Sequence, residues 1–153
     1  MKKFELLIPP PLIVLCSGLV MWLLAKALPS LSVAWPYSTQ LGIMMTLIGL
    51  AIGLSGVQAV TKAKTTMNPK QPGDASQLVK SGIYKYSRNP MYLGLLFILI
   101  AWMIYLSNLA SLLGIFAYIA YITRFQIIPE ERYLEEKFSA DYLSYKKQTR
   151  RWL

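Results

Sequence analysis

The chain has 153 residues, which suffices for one domain, and 55% of them are hydrophobic, more than a soluble globular protein usually carries. It has no histidine and one cysteine, Cys16, which argues against a metal site and excludes a histidine-dependent nucleophile and a disulfide framework. The formal net charge of +9 suits an anionic partner, and because the basic residues flank apolar runs, that partner is predicted to be membrane lipid and not nucleic acid.

Four apolar runs predict an all-α fold, a polytopic membrane helix bundle in which residues 1–153 form a single domain. The predicted transmembrane helices cover about residues 8–28, 37–60, 91–106 and 109–128. The first run is interpreted as a retained helix and not a signal peptide, because the prolines from Pro9 to Pro11 interrupt its start and no convincing cleavage site follows. Cys16 lies in this run and is predicted to be a small buried hydrophobic residue.

Glycines recur along one face of the second predicted helix. Gly42, Gly49 and Gly56 are spaced by seven residues, and Gly53 forms a Gly-x-x-x-Gly pair with Gly49. Small residues let membrane helices approach closely, either within one chain or between two copies. The pattern favours packing within this chain over a dimerisation face, and the oligomeric state stays open.

Charged residues return after the fourth apolar run, where Pro129 is predicted to break or kink the helix. Residues 130–153 are predicted to continue as a cytosolic amphipathic helix. Its apolar side chains recur at helical spacing, so that one face can lie on the bilayer or on the core, namely Tyr133, Leu134, Phe138, Tyr142 and Tyr145.

Basic residues concentrate at the amino terminus, in residues 61–89 and in the tail, whereas the other two connections carry almost no charge. The positive-inside rule therefore predicts an integral membrane protein with both termini and the segment 61–89 in the cytosol. Two polar clusters, residues 84–92 and 124–131, then fall at the same membrane face. That convergence predicts a functional site there.

The first cluster surrounds a predicted helix start. Asn89 is placed to accept from free backbone N–H groups as the N-cap, and Pro90 needs no donor at the first helical position. Arg88 can hold a ligand carboxylate or contact a lipid phosphate. The tyrosines of this cluster can stack on a ligand ring or belong to the interfacial aromatic belt, namely Tyr84, Tyr86 and Tyr92.

The second cluster combines a cation, an amide and two carboxylates. Arg124 lies inside an apolar run, so it is a functional candidate or a partner of Glu131 two turns further on. Arg124 and Gln126 are the candidate substrate-binding residues. Glu130 offers acceptor oxygens to a cationic or hydroxyl-rich ligand, and Glu131 either does the same or faces solvent.

The two clusters together resemble a known family. G-I-Y-K-Y-S-R-N-P-M-Y-L-G from Gly82 and F-Q-I-I-P-E-E-R-Y-L-E-E-K-F from Phe125 are similar to motifs of the isoprenylcysteine carboxyl methyltransferases, which are related to the membrane phospholipid methyltransferases. The first half of the chain resembles compact bacterial members, which implies the bacterial inner membrane. The resemblance implies S-adenosyl-L-methionine as cofactor at the cytosolic face and methyl transfer to a lipophilic or lipid acceptor. It implies Arg88, Asn89 and Glu130 as catalytic residues. The implied cofactor-binding residues are Leu78, Val79, Tyr84, Arg88, Asn89, Pro90, Met91, Tyr92, Glu130 and Glu131.

The chain departs from that family pattern at two positions. The usual Arg-His-Pro reads Arg88-Asn89-Pro90 here, and Gln126 stands where prenylcysteine enzymes carry an arginine. The acceptor is therefore left open between a carboxylate, methylated on oxygen, and an amine, methylated on nitrogen. Two other functions remain as alternatives: an NADPH-dependent reductase of the sterol-reductase type, and a non-catalytic helix bundle that retains the fold.

Overall fold

A computed structural model describes residues 5–65 and 76–153. The first four residues and residues 66–75, part of the predicted cytosolic segment, lie outside this description. The described residues are helical, as the sequence predicts. The α-helices are α1 (Pro10–Ala27), α2 (Ser38–Lys62), α3 (Pro90–Leu106), α4 (Leu112–Ile122) and α5 (Ile128–Gln148). Short 3₁₀ helices cover Pro29–Leu31, Gly82–Lys85 and Leu109–Ser111, and a π-helix covers Thr123–Ile127 between α4 and α5.

Three helical runs in the described part are long and apolar enough to cross a membrane. They are α1, α2 and the run Leu109–Gln148, and α3 is a shorter apolar helix of 17 residues. Leucines of α1 and α2 such as Leu15, Leu47 and Leu54 are more than half exposed, which suits helices that face lipid. These features make the chain an integral membrane helix bundle.

Glycine contacts join α2 to α3. A Cβ atom built on Gly49 would lie 2.7 Å from the carbonyl oxygen of Gly94, and one on Gly94 would lie 2.8 Å from the nitrogen of Gly53. Only glycine permits two backbones to approach so closely. Gly42 and Gly56 also face α3, so the interpretation of this stripe as packing within the chain is confirmed.

The core lies between α1, α3, α4 and the π-helix. Met21, Tyr118, Ile122 and Ile127 are each 0% exposed. Cys16 lies on the outer side of α1 and is exposed. The prediction that Cys16 is buried was therefore wrong, because the α1 face that packs on the core carries Ile13 and Met21 instead.

Pro129 was predicted to break or kink the helix, and of these two outcomes the break does not occur. The chain instead passes through the π-helix Thr123–Ile127 and continues directly into α5. Because proline has no N–H, the carbonyl oxygen of Phe125 lacks its α-helical donor, and the backbone N–H of Leu6 donates to it at 2.9 Å. The amino-terminal segment is thus tied to the π-helix.

The carboxy-terminal helix bends at Ser139, which has φ 41° and ψ −113°. The second half of α5 therefore folds back on the segment before α3, and Tyr142 and Tyr145 are buried at 1% and 5% exposure. Tyr133 is 44% exposed. Leu134 and Phe138 are half-buried, so four of the five predicted residues of the apolar face pack inwards, and the bend divides that face between two helical halves.

Candidate functional site

A cavity of about 410 Å³ lies where the two predicted polar clusters meet. Nine of the ten predicted cofactor-binding residues line it: Leu78, Val79, Tyr84, Arg88, Asn89, Met91, Tyr92, Glu130 and Glu131. Pro90, the tenth, is buried behind it, where its ring packs against Gly56. The remaining wall is mostly apolar and includes Pro10 and Pro11 of α1 and Gly53, Val57 and Val60 of α2. The cavity is thus polar on its α3 and α5 side and apolar towards α1 and α2.

Asn89 occupies the N-cap of α3, and Pro90 is the first helical residue, as predicted. The Asn89 side chain, however, accepts no capping bond. Its Nδ2 donates instead to the carbonyl oxygen of Arg151 at 3.0 Å, and its backbone N–H donates to Ser87 Oγ at 3.1 Å. The predicted side-chain cap is therefore not made, and the amide is bonded to the carboxy-terminal segment instead.

Glu131 lies in a cluster of ion pairs with Arg88 and Arg151, which we call the ion-pair cluster. Arg88 Nη2 and Arg151 Nη2 each donate to the Glu131 carboxylate at 2.7 Å, and Arg151 Nε adds a third bond at 3.1 Å. The Glu131 and Arg88 side chains are each 8% exposed. Burial disfavours the charge of Glu131, but the bonds from Arg151 and Arg88 outweigh it, so its pKa is lowered.

This cluster replaces three alternatives from the sequence. Glu131 is buried and does not face solvent, and the Arg88 side chain is 8% exposed, with its Nη1 donating to the carbonyl oxygens of Lys146 and Thr149. Arg124 does not pair with Glu131. Its Nη1 lies 3.7 Å from Glu5 Oε1 instead.

Glu130, next in the chain, has a different environment. It lies two residues beyond the predicted fourth transmembrane segment, lines the cavity, and accepts a hydrogen bond from the Tyr92 hydroxyl. Burial, and secondarily the charge of Glu131, raise the pKa of Glu130 to about 8, against the opposing effect of the Tyr92 bond. Below about pH 8 the folded protein therefore keeps this carboxyl mostly protonated.

The other cavity tyrosines are fixed by the folded-back tail. The Tyr145 hydroxyl donates to the carbonyl oxygen of Tyr84 at 2.7 Å. Burial raises the pKa of Tyr84 and of Tyr145, so both stay protonated as hydrogen-bond donors at neutral pH. Tyr86, by contrast, is 70% exposed and lies outside the cavity lining.

The two predicted substrate-binding residues do not reach this cavity. Gln126 is fully buried on the π-helix, and its Nε2 donates to the carbonyl oxygen of Ile8 at 2.8 Å. Arg124 pairs with Glu5 at the edge of the same turn. Both residues hold the amino-terminal segment against the π-helix.

Sequence reasoning missed the carboxy-terminal residues of the site. Arg151 bonds Glu131 through its side chain and Asn89 through its backbone, while Thr149 and Arg150 receive bonds from Arg88. The basic composition of this segment indicated only a cytosolic tail. Its contacts depend on the bend at Ser139, which no glycine or proline marks.

Comparisons with known proteins identify the family of the chain. The profile of the family described as phospholipid methyltransferase matches residues 37–141. The chain is 35% identical over 123 residues to the protein-S-isoprenylcysteine O-methyltransferase of Saccharomyces cerevisiae, a match that covers 76% of this chain and 49% of the yeast protein. It therefore spans about half the length of that relative.

A second relative is an uncharacterized protein of Haemophilus influenzae, which is 51% identical over 63 residues. That match covers 41% of this chain and the whole of the Haemophilus protein. The family match covers most of the chain and includes both sides of the cavity, up to the bend in α5. The chain belongs to the phospholipid methyltransferase family, which confirms the resemblance drawn from its two motifs.

Proposed function

We propose that the protein is an S-adenosyl-L-methionine-dependent methyltransferase of the cytosolic membrane face that acts on a lipophilic acceptor. The observation that carries the proposal is the bond from Tyr92 to Glu130, which joins the two family motifs across 38 residues at the cavity wall. Family membership supports methyl transfer as the reaction class.

The residues present fit this cofactor. A volume of about 410 Å³ lies in the range of roughly 300–1,000 Å³ that is typical of small-molecule sites. Arg88 Nε is buried and has no hydrogen-bond partner among the described residues, so a ligand acceptor such as a carboxylate would satisfy it. Tyr84 and Tyr92 supply aromatic faces that suit a purine ring or a cation.

Each residue then has a distinct role. The bound cofactor supplies a methyl group activated by its sulfonium charge. Glu130 accepts hydrogen bonds from ligand hydroxyl or amino groups, and Tyr92 orients the Glu130 carboxyl. Asn89 and Arg88 act by fixing the start of α3 against the carboxy-terminal segment. Methyl transfer needs no protein nucleophile, so positioning can supply the catalysis.

The residues that line the cavity also indicate which kind of methyl acceptor the site suits. Arg88 is the only cation that lines the described cavity, and both Nη atoms of its guanidinium are already bonded to Glu131 and to backbone carbonyls. Among the described residues, Glu130 has no cationic partner. This charge arrangement favours an amine or neutral acceptor over a carboxylate, and the apolar wall from α1 and α2 suits its hydrocarbon portion.

Calorimetry with the purified protein and S-adenosylhomocysteine tests the cofactor. We expect saturable binding that weakens at least tenfold in Glu130→Ala and several-fold in Tyr92→Phe. The exposed Glu136→Ala variant on the same helix is the matched control and should bind as the wild type does. Equal affinity in all four proteins would overturn the assignment of the cavity.

Incubation with methyl-labelled cofactor and a total lipid extract tests the reaction. We expect label in an organic-phase product that is lost in Glu130→Ala. Binding of NADPH in place of S-adenosylhomocysteine would instead support the reductase alternative. Cofactor binding without transfer to any extracted lipid would support the non-catalytic bundle.

A further inference from the structure

The last residues of the chain bond cavity residues at the start of α3, which lie more than fifty positions earlier in the sequence. Arg151 does not line the cavity itself but bonds Glu131 and Asn89, which do. We infer that Arg151 is a positioning residue: it occupies the Glu131 carboxylate and so leaves Glu130 as the carboxyl that is available to a ligand in the cavity. This inference rests on the proposed function in taking the cavity as the ligand site.

The hydrogen bonds of the two carboxylates differ accordingly. Both Glu131 oxygens are occupied, Oε2 by Arg151 Nη2 at 2.7 Å and Oε1 by Arg88 Nη2 at 2.7 Å and Arg151 Nε at 3.1 Å. Such a fork requires a planar guanidinium, which lysine cannot replace. Among the described residues, Glu130 accepts one hydrogen bond, from the neutral Tyr92 hydroxyl. A ligand donor therefore finds more free acceptor capacity on Glu130 than on Glu131.

The backbone of Arg151 fixes the other motif. Its carbonyl oxygen accepts from Asn89 Nδ2 at 3.0 Å and from Ser87 Oγ at 3.4 Å. One residue thus bonds the start of α3 through its backbone and α5 through its side chain. Arg150, its neighbour, is exposed and contributes only its backbone carbonyl oxygen, which accepts from the N–H of Arg88 at 3.0 Å.

This arrangement has an electrostatic consequence that a purely mechanical tether would not have. Two guanidinium groups compensate the charge of Glu131, and removing one would expose Glu130 to more of that charge and raise the pKa of Glu130 further. The titratable and charged groups that face Glu130 are Tyr92 on α3, Tyr84 before α3, Tyr142 and Tyr145 on the folded-back half of α5, and Glu131 with its partners Arg88 and Arg151.

Infrared titration of the ligand-free protein measures this effect directly. The protonated carboxyl band is followed against pH, and the band that disappears in Glu130→Gln is assigned to Glu130. We expect Arg151→Gln to raise its midpoint by on the order of one pH unit. The matched control Arg150→Gln makes the same change in net charge at the neighbouring exposed position and should leave the midpoint unchanged. Adding Glu131→Gln to Arg151→Gln should bring the midpoint down again.

Equal midpoints in folded Arg151→Gln and Arg150→Gln would overturn the inference. If Arg151→Gln does not fold, Arg151→Lys takes its place, because lysine keeps the charge but cannot form the fork to both Glu131 oxygens; its midpoint should rise by a smaller amount, and an unchanged midpoint overturns the inference. S-adenosylhomocysteine affinity against pH is the second measurement and should shift with the infrared midpoint. Absence of binding by the wild type would refute the proposed function alone, because the infrared result needs no ligand.

Discussion

Glu131 in the ion-pair cluster and Glu130 in the cavity wall are adjacent residues of α5, but their carboxylates have opposite environments. Glu131 is enclosed by two arginines and has a lowered pKa, whereas Glu130 meets a tyrosine and an apolar wall and has a pKa raised to about 8. Adjacent helical residues point about 100° apart, so they enter different surroundings. The two residues therefore differ in role: Glu131 stabilises the site through its ion pairs, and Glu130 is available to a ligand.

The largest expected effect comes from breaking the cluster. Glu131→Ala leaves the guanidinium of Arg88, only 8% exposed, without its carboxylate. Removing one partner of a buried ion pair typically costs about 3–5 kcal/mol, so we expect a large fall in the melting temperature of the detergent-solubilised protein. Glu130→Ala is the matched variant and should melt near the wild type. A melting temperature for Glu131→Ala equal to that of Glu130→Ala would contradict the division of roles.

A smaller effect is expected from neutralising the cavity carboxyl. Between its ordinary pKa of 4.5 and its folded value of about 8, Glu130 keeps a proton in the folded protein that the unfolded chain releases. The free energy of unfolding should therefore fall as pH rises through this interval, by at most about 1.4 kcal/mol per pH unit, and Glu130→Gln should remove that slope.

Melting curves at a series of pH values check whether the free energy of unfolding falls as pH rises. Glu131 acts in the opposite sense, because its pKa is lowered: its stabilisation is present above pH 4.5 and is lost as pH falls through its folded pKa. Glu130→Gln should thus be more stable than the wild type near pH 8 while binding ligand more weakly. A Glu130→Gln protein with the wild-type slope would show that another group titrates.

A still smaller loss is expected at Asn89, which connects the two regions. Asn89→Ala removes the donor to the Arg151 carbonyl oxygen and should cost about 1 kcal/mol. Asn89→His restores the histidine usual in the family and keeps a side-chain donor, so it should lose less stability than Asn89→Ala. Thermal melting and S-adenosylhomocysteine affinity measure the two effects. A larger loss in the histidine variant would indicate that the site has no room for the ring.

The smallest effect is expected from an exposed ion pair on the same helix. Lys146 Nζ lies 3.1 Å from Glu135 Oε2, and the two side chains are 38% and 42% exposed. Exposed pairs contribute about 0.2–1 kcal/mol, so Glu135→Ala should change the melting temperature by a degree or two at most. An effect as large as that of Glu131→Ala would show that burial does not distinguish these pairs.

Much of the fold was predictable because membrane helices are encoded by local composition. Apolar runs predicted the helices, the glycine stripe predicted close packing within the chain, and Asn89-Pro90 predicted the start of α3. The family resemblance also predicted nine of the residues that line the cavity. Pro129 does not break the helix, and the N–H of Leu6 satisfies the carbonyl oxygen that proline leaves without a donor.

The sequence by itself determined the membrane bundle, the family and the two motifs that meet at one face. Only the tertiary structure decided which of the two carboxylates, Glu130 or Glu131, pairs with the arginines and which is available to a ligand. That choice depends on the bend at Ser139, which returns the tail to the start of α3 and brings Arg151 to Glu131. Composition and spacing record which groups a chain possesses, but the pairing of a buried charge depends on contacts between residues far apart in sequence.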